Sequence, residues 1–164
     1  MLVAIMSDSH DHINNMVYAL KICKEENVEH ILHCGDFVAP FILHELNKAR
    51  IPVDGVFGNN DGDIYTMTKL SLTELKNITL HNFLADLELD GCHIAMTHTP
   101  IVGMPLLQTG KFDLTCWGHT HFFEEYHING CIGINPGDIM GKDCAPGFCL
   151  FDTLSKEFEH IILE

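Results

Sequence analysis

Short apolar runs recur along this chain, and five of them give way to a polar residue able to hold a metal ion. Leu2–Met6 leads to Asp8 and His10, His30–Cys34 to Asp36, and Val53–Phe57 to Asn59. His93–Thr97 leads to His98, and Asp113–Trp117 to His119 and His121. Runs of this length, rich in Val, Ile, Leu and Phe, predict buried strands. Between the first two, Ile13, Met16, Val17, Leu20 and Cys23 recur at helical spacing. Pro40 stands at a helix start, followed by Phe41, Ile42, Leu46 and Ala49. The first half therefore reads β-α-β-α-β, which implies parallel strands joined by right-handed crossovers.

The second half is richer in strands. Asp90-Gly91 lies between Leu87–Leu89 and Cys92–Met96, and Asn129-Gly130 between Tyr126–Ile128 and Cys131–Ile134. Both dipeptides predict two-residue hairpins. Phe148–Phe151 and Phe158–Leu163 predict a closing pair of strands, whereas Gly62–Lys76 fits a short helix or a loop. No repeat, low-complexity segment or linker interrupts the pattern, so residues 1–164 are expected to form one domain.

In open α/β sheets, ligands bind beyond the carboxyl ends of the strands. Five such ends carrying Asp, His and Asn, from Asp8 to His121, point to one shared site. In Asp8-Ser9-His10, a tight turn can bring carboxylate and imidazole onto one ion. That donor pair suits Mn, Fe, Zn or Ni better than Ca or Cu(I). Gly35 permits a sharp turn before Asp36, although Asp36 alone also fits a helix cap. In Gly58-Asn59-Asn60-Asp61, Asn offers a neutral oxygen to a cation; the same residues also make ordinary turns. Gly118-His119-Thr120-His121 is the strongest single element, with two imidazoles two positions apart after a strand and a glycine.

Composition narrows the partners. Nine Lys and Arg face 23 Asp and Glu, for a formal net charge of −14, and no basic cluster appears. Binding to a nucleic-acid backbone needs a positive footprint and is not expected. No apolar run approaches the ~18 residues that span a bilayer, so no membrane association is expected. Leu2–Met6 is too short for a signal peptide and lacks a basic lead-in. Seven cysteines, an odd number without a CxxC pair, argue against a disulfide framework and for a reducing, cytoplasmic setting.

The ordered set D-x-H, GD, GNxD, strand-end His and GHxH resembles the calcineurin-like metallophosphoesterase superfamily. Asn135-Pro136-Gly137 after Ile134 resembles the NPG segment of its small prokaryotic phosphodiesterases. The resemblance covers essentially the whole chain. It implies an α/β fold, a four-layer αββα sandwich of two mixed β-sheets flanked by helices. It also implies a phosphodiesterase acting through two divalent metal ions and a metal-bridging hydroxide. Mn2+ or Ni2+ come first among the ions, with Fe, Zn or Mg as alternatives. By the same resemblance, Asp8, His10 and His121 would hold one ion, and Asn59, His98 and His119 the other. Asp36 would bridge the two, and the catalytic group would be Asp36, Asn59 and Asn60.

Three positions depart from the family pattern. Many members carry His where this chain has Asn60, and that His is held to protonate the leaving group or grip the phosphate. Thr99-Pro100 follows His98 where relatives often have Gly-His, and Asp138 stands where small relatives often have Ser. The expected substrate is thus a small phosphodiester with a good leaving group. A homodimer or homotetramer is compatible with the strand-rich second half. The contrasting expectation is a non-catalytic protein-binding scaffold, since a retromer subunit shares this fold.

Overall fold

The computed structural model describes residues 1–163. Strand β1 (Leu2–Met6) is followed by helix α1 (Ile13–Glu25), β2 (His30–His33), α2 (Phe41–Ala49) and β3 (Val53–Gly55). The ambiguous stretch is a helix, α3 (Ile64–Thr73), started by the Asp63 side chain accepting from the Thr66 N–H at 3.1 Å. Next come β4 (Ile78–Leu80), β5 (Leu84–Leu89), β6 (Cys92–Thr97), α4 (Pro100–Gln108) and β7 (Leu114–Cys116). The chain ends with β8 (Phe123–Ile128), β9 (Cys131–Pro136), β10 (Gly147–Asp152) and β11 (Phe158–Ile162).

Two mixed sheets form. The first has order β11-β10-β1-β2-β3-β4 and the second β5-β6-β7-β9-β8. Strands β1 to β4 are parallel, with β10 antiparallel to β1. In the second sheet β6, β7 and β9 are parallel, and each edge is closed by a hairpin strand. Both hairpins use their Asn/Asp-Gly turns. Asp90 and Gly91 have φ of 51° and 75°, and Asn129 and Gly130 have 53° and 81°, as a two-residue type I′ turn needs.

Three apolar layers hold the sandwich together. Met16, Leu20, Ile42, Leu43 and Leu46 of α1 and α2 pack on the outer face of the first sheet. Val3, Ile5, Leu32 and Phe151 meet Ile94, Met96, Leu114 and Ile134 between the sheets. Leu107 of α4 covers Trp117 and Cys131 on the second sheet's outer face. The result is the αββα stack, with the carboxyl ends of β1, β2, β3, β6 and β7 at one rim. All seven cysteines are unpaired, and only Cys144 is exposed. Among the described residues, no helix is long and apolar enough to cross a membrane.

Candidate metal centre

The loops leaving both sheets converge at that rim, and they bring together all eight residues singled out in the sequence. The turns after β1 and β2 are zipped by backbone bonds, Asp8 N–H to Gly35 O at 3.0 Å and His10 N–H to Asp36 O at 3.0 Å. The second sheet joins them when the His119 N–H donates to Asp8 Oδ2 at 2.9 Å. Gly118 is needed there, because a Cβ would overlap Ser7 Oγ and Asp8 Oδ2. Gly58 is needed likewise, since a Cβ would overlap the Asp36 carboxylate.

The backbone is bent hard to aim these side chains. Asp8, His10, Asp36, His119 and His121 have φ of 51°, 41°, 57°, 72° and 66°. Left-handed backbone is uncommon outside glycine and costs on the order of 1–3 kcal/mol per residue. Five such residues at one site mean that the surrounding hydrogen bonds impose the geometry. Asp61 supplies three of them: its carboxylate accepts from the N–H groups of Gly58 (2.7 Å), Val38 (2.7 Å) and Asp36 (3.2 Å). Burial pushes the Asp61 carboxyl up from its ordinary pKa despite those donors.

Two groups of donor atoms result. In the first, Asp8 Oδ1 lies 3.7 Å from His10 Nε2 and 3.6 Å from His121 Nε2. In the second, Asn59 Oδ1 lies 3.0 Å from His98 Nε2 and 2.8 Å from His119 Nδ1. Between them, Asp36 Oδ2 is 3.4 Å from His10 Nε2 and 3.5 Å from His98 Nε2. Asp8, Asp36 and His98 are buried, while His10 and His121 are half-buried. Burial alone would raise the Asp36 carboxyl, but His98 and both N–H donors of Asn60 hold it well below the usual carboxylate range. Burial also works against ionised Asp8, and contacts from His10 and Ser7 outweigh it. The Asp8 carboxylate in turn lifts the His10 imidazole, while Asp36 lifts His98 against its own burial.

Asp8 Oδ1 and His10 Nε2 are buried with no hydrogen-bond partner among the described residues. Orphaned buried polar atoms are costly and rare. Here they face one another across a gap that a cation would fill, and the carboxylate, amide-oxygen and imidazole set suits Mn, Fe, Ni or Zn. The residues therefore fit a divalent metal.

Several neighbours were not visible as site residues in the sequence. Asp138 is fully buried, with Oδ2 2.8 Å from His121 Nδ1. His33, at the end of β2, is also fully buried. It accepts the Gly35 N–H at Nδ1, lies 3.0 Å from Ser9 Oγ through Nε2, and stacks on Phe37 with ring centroids 3.9 Å apart. Burial pulls its pKa down to about 3. His12 caps α1 by accepting the Asn15 N–H at 3.3 Å. Thr99 and Pro100 start α4, so that departure serves a helix entry.

Sheet order, rim position and donor set define a class. Residues 1–156 match the calcineurin-like phosphoesterase superfamily domain, and the chain belongs to that family. It is 36% identical to phosphodiesterase MJ0936 of Methanocaldococcus jannaschii, over all of both chains. The solved structure of an archaeal phosphodiesterase superposes with a TM-score of 0.92 at 31% identity, covering 99% of this chain and 100% of that one. Vacuolar protein sorting 29 of Cryptosporidium parvum shares the fold at TM-score 0.71 and 16% identity, covering 99% of this chain and 96% of its own.

Proposed function

We propose that the chain is a metal-dependent phosphodiesterase with a dinuclear centre. Asp8, His10 and His121 would hold one divalent ion, Asn59, His98 and His119 would hold the other, and Asp36 would bridge them. The observation that carries this reading is the convergence of seven competent ligands around two buried, unpartnered donor atoms. When bound, such a pair supplies a hydroxide nucleophile near neutral pH and offsets charge developing on a phosphoryl group.

The protein's own groups do the rest. Asp36 stays ionised, held by His98 and Asn60, so it is ready as a bridging carboxylate. His98 donates Nδ1–H to the Cys34 carbonyl at 2.8 Å, which leaves Nε2 free to bind. Asn60 occupies the position at which many family members carry an acid. Its side-chain N–H donates to Asp36 Oδ2 at 2.7 Å and its backbone N–H to Asp36 Oδ1 at 2.8 Å. It therefore positions the bridge and has no proton to give a leaving group. General acid catalysis is worth ~10²–10⁴ in rate, so substrates with good leaving groups are favoured.

The test is turnover of an aryl phosphodiester and an alkyl phosphomonoester by protein loaded with Mn2+ or Ni2+. Faster diester turnover is expected. Faster monoester turnover would contradict the role given to Asn60, and no turnover of either would favour a scaffold.

A further inference from the structure

We infer that Asp138 is a positioning residue that sets the tautomer and orientation of His121, making the Asp8–His10–His121 half of the centre the tighter metal site. This rests on the dinuclear reading above. Asp138 is fully buried and far from His121 in sequence, yet its Oδ2 lies 2.8 Å from His121 Nδ1. A carboxylate in that place accepts, so Nδ1 carries the proton and the Nε2 lone pair faces Asp8 Oδ1, 3.6 Å away.

The carboxylate is itself fixed. Gly141 N–H donates to Oδ1 at 3.0 Å and Lys142 N–H to Oδ2 at 3.0 Å. The segment behind it is tied to α1, where Asn15 Nδ2 donates to the Ile139 carbonyl at 2.8 Å. The backbone carbonyl of Asp138 accepts from Gly147 N–H at 2.9 Å.

The two halves differ in this respect. His98 is backed by the neutral Cys34 carbonyl. His119 turns Nδ1 toward Asn59. Among the described residues, only His121 of the four imidazoles at the site places its far nitrogen on a carboxylate. A carboxylate behind a ligating histidine fixes the ring and raises its basicity, and losing such a partner typically costs 10–100-fold in metal affinity. The first half also has an anionic ligand of its own in Asp8, where the second has neutral Asn59. The shared bridge Asp36 does not distinguish them.

Two measurements test this. In metal-free wild type with 15N-labelled histidine at mildly alkaline pH, NMR should show His121 as the Nδ1–H tautomer, assigned by the signal missing from His121→Gln. The Nε2–H tautomer would overturn the proposal without any variant of Asp138 having to fold. Calorimetric titration of metal-free protein with Mn2+ should show two unequal sites. Asp138→Ala should weaken the tighter one about 10–100-fold and leave the other in place. Asp138→Asn, which keeps an acceptor but no charge, should weaken it less. Equal weakening of both sites, or of neither, would overturn the proposal and leave Asp138 a loop-shaping residue. Wild type that binds fewer than two ions would defeat the dinuclear reading instead, and the NMR result would still decide the role of Asp138.

Discussion

The two sheets bring different chemistry to the same rim. The first contributes the oxygen donors Asp8, Asp36 and Asn59 together with His10, all on turns following β1, β2 and β3. The second contributes only imidazoles, His98 after β6 and His119 and His121 after β7. On the proposed dinuclear reading, neither sheet alone would hold a full ligand set for either ion. The first group needs His121 from across the sandwich, and the second needs Asn59. The difference teaches that this centre is a product of sheet packing, so damage to the seam between the sheets should reach the metal as surely as damage to a ligand.

Asp36→Asn breaks the comparison most severely, because Asp36 is the one ligand facing both groups. Metal affinity should fall by more than the ~100-fold that outer-shell changes reach, and phosphodiesterase activity should fall with it. Metal content measured beside turnover checks this, and retention of both would sink the bridging role. Gly118→Ala tests the seam without replacing a ligand. Its Cβ would collide with Ser7 and Asp8 where the His119 N–H joins the sheets. Overpacking of this kind costs about 1–3 kcal/mol. Thermal unfolding of metal-free protein should show that loss, and metal titration should show weaker binding. Full metal affinity in a destabilised variant would mean that the seam and the centre are independent.

His33→Gln gives a smaller, pH-dependent effect confined to the first sheet. Folding holds His33 neutral, because burial lowers its pKa to about 3 from the ordinary 6.5. The unfolded chain binds the proton first, so stability is complete above about pH 6.5 and is lost as pH falls toward 3. Between pH 7 and pH 5 this histidine should remove about 2 kcal/mol from the wild type. The Gln variant should show a correspondingly flatter dependence when unfolding is followed across that range. Parallel pH dependences would mean that His33 is protonated in the folded protein.

Much of this arrangement is legible in the sequence because strands and ligands obey local rules. β1 follows its apolar run, both hairpins sit on Asn/Asp-Gly pairs, and each ligand comes directly after a strand. Other features depend on tertiary contacts. Helix α4 contains Pro105 and Gly103, which argue against a helix locally. It forms because Leu107 packs on Trp117, and the bare Gly103 backbone lies close against the same indole. Strands β2, β3 and β7 end earlier than their apolar runs, although Cys34, Val56 and Trp117 stay buried and each still donates one backbone N–H to the neighbouring strand, to the carbonyls of Met6, His33 and Ile134. The left-handed backbone at Asp8 and His10 leaves no sequence signal, the bend at Asp36 is signalled only by the Gly35 before it, and Asp138 meets His121 only through folding. Its one sequence cue was its departure from the family's usual residue.

The central claim is that two ions lie between the sheets on ligands drawn from both. Anomalous scattering from crystals of the protein soaked in Mn2+ tests it most directly. The account predicts two peaks at the rim, one among Asp8, His10 and His121, the other among Asn59, His98 and His119, with Asp36 between them. A single peak, or peaks bound by residues of one sheet alone, would contradict it.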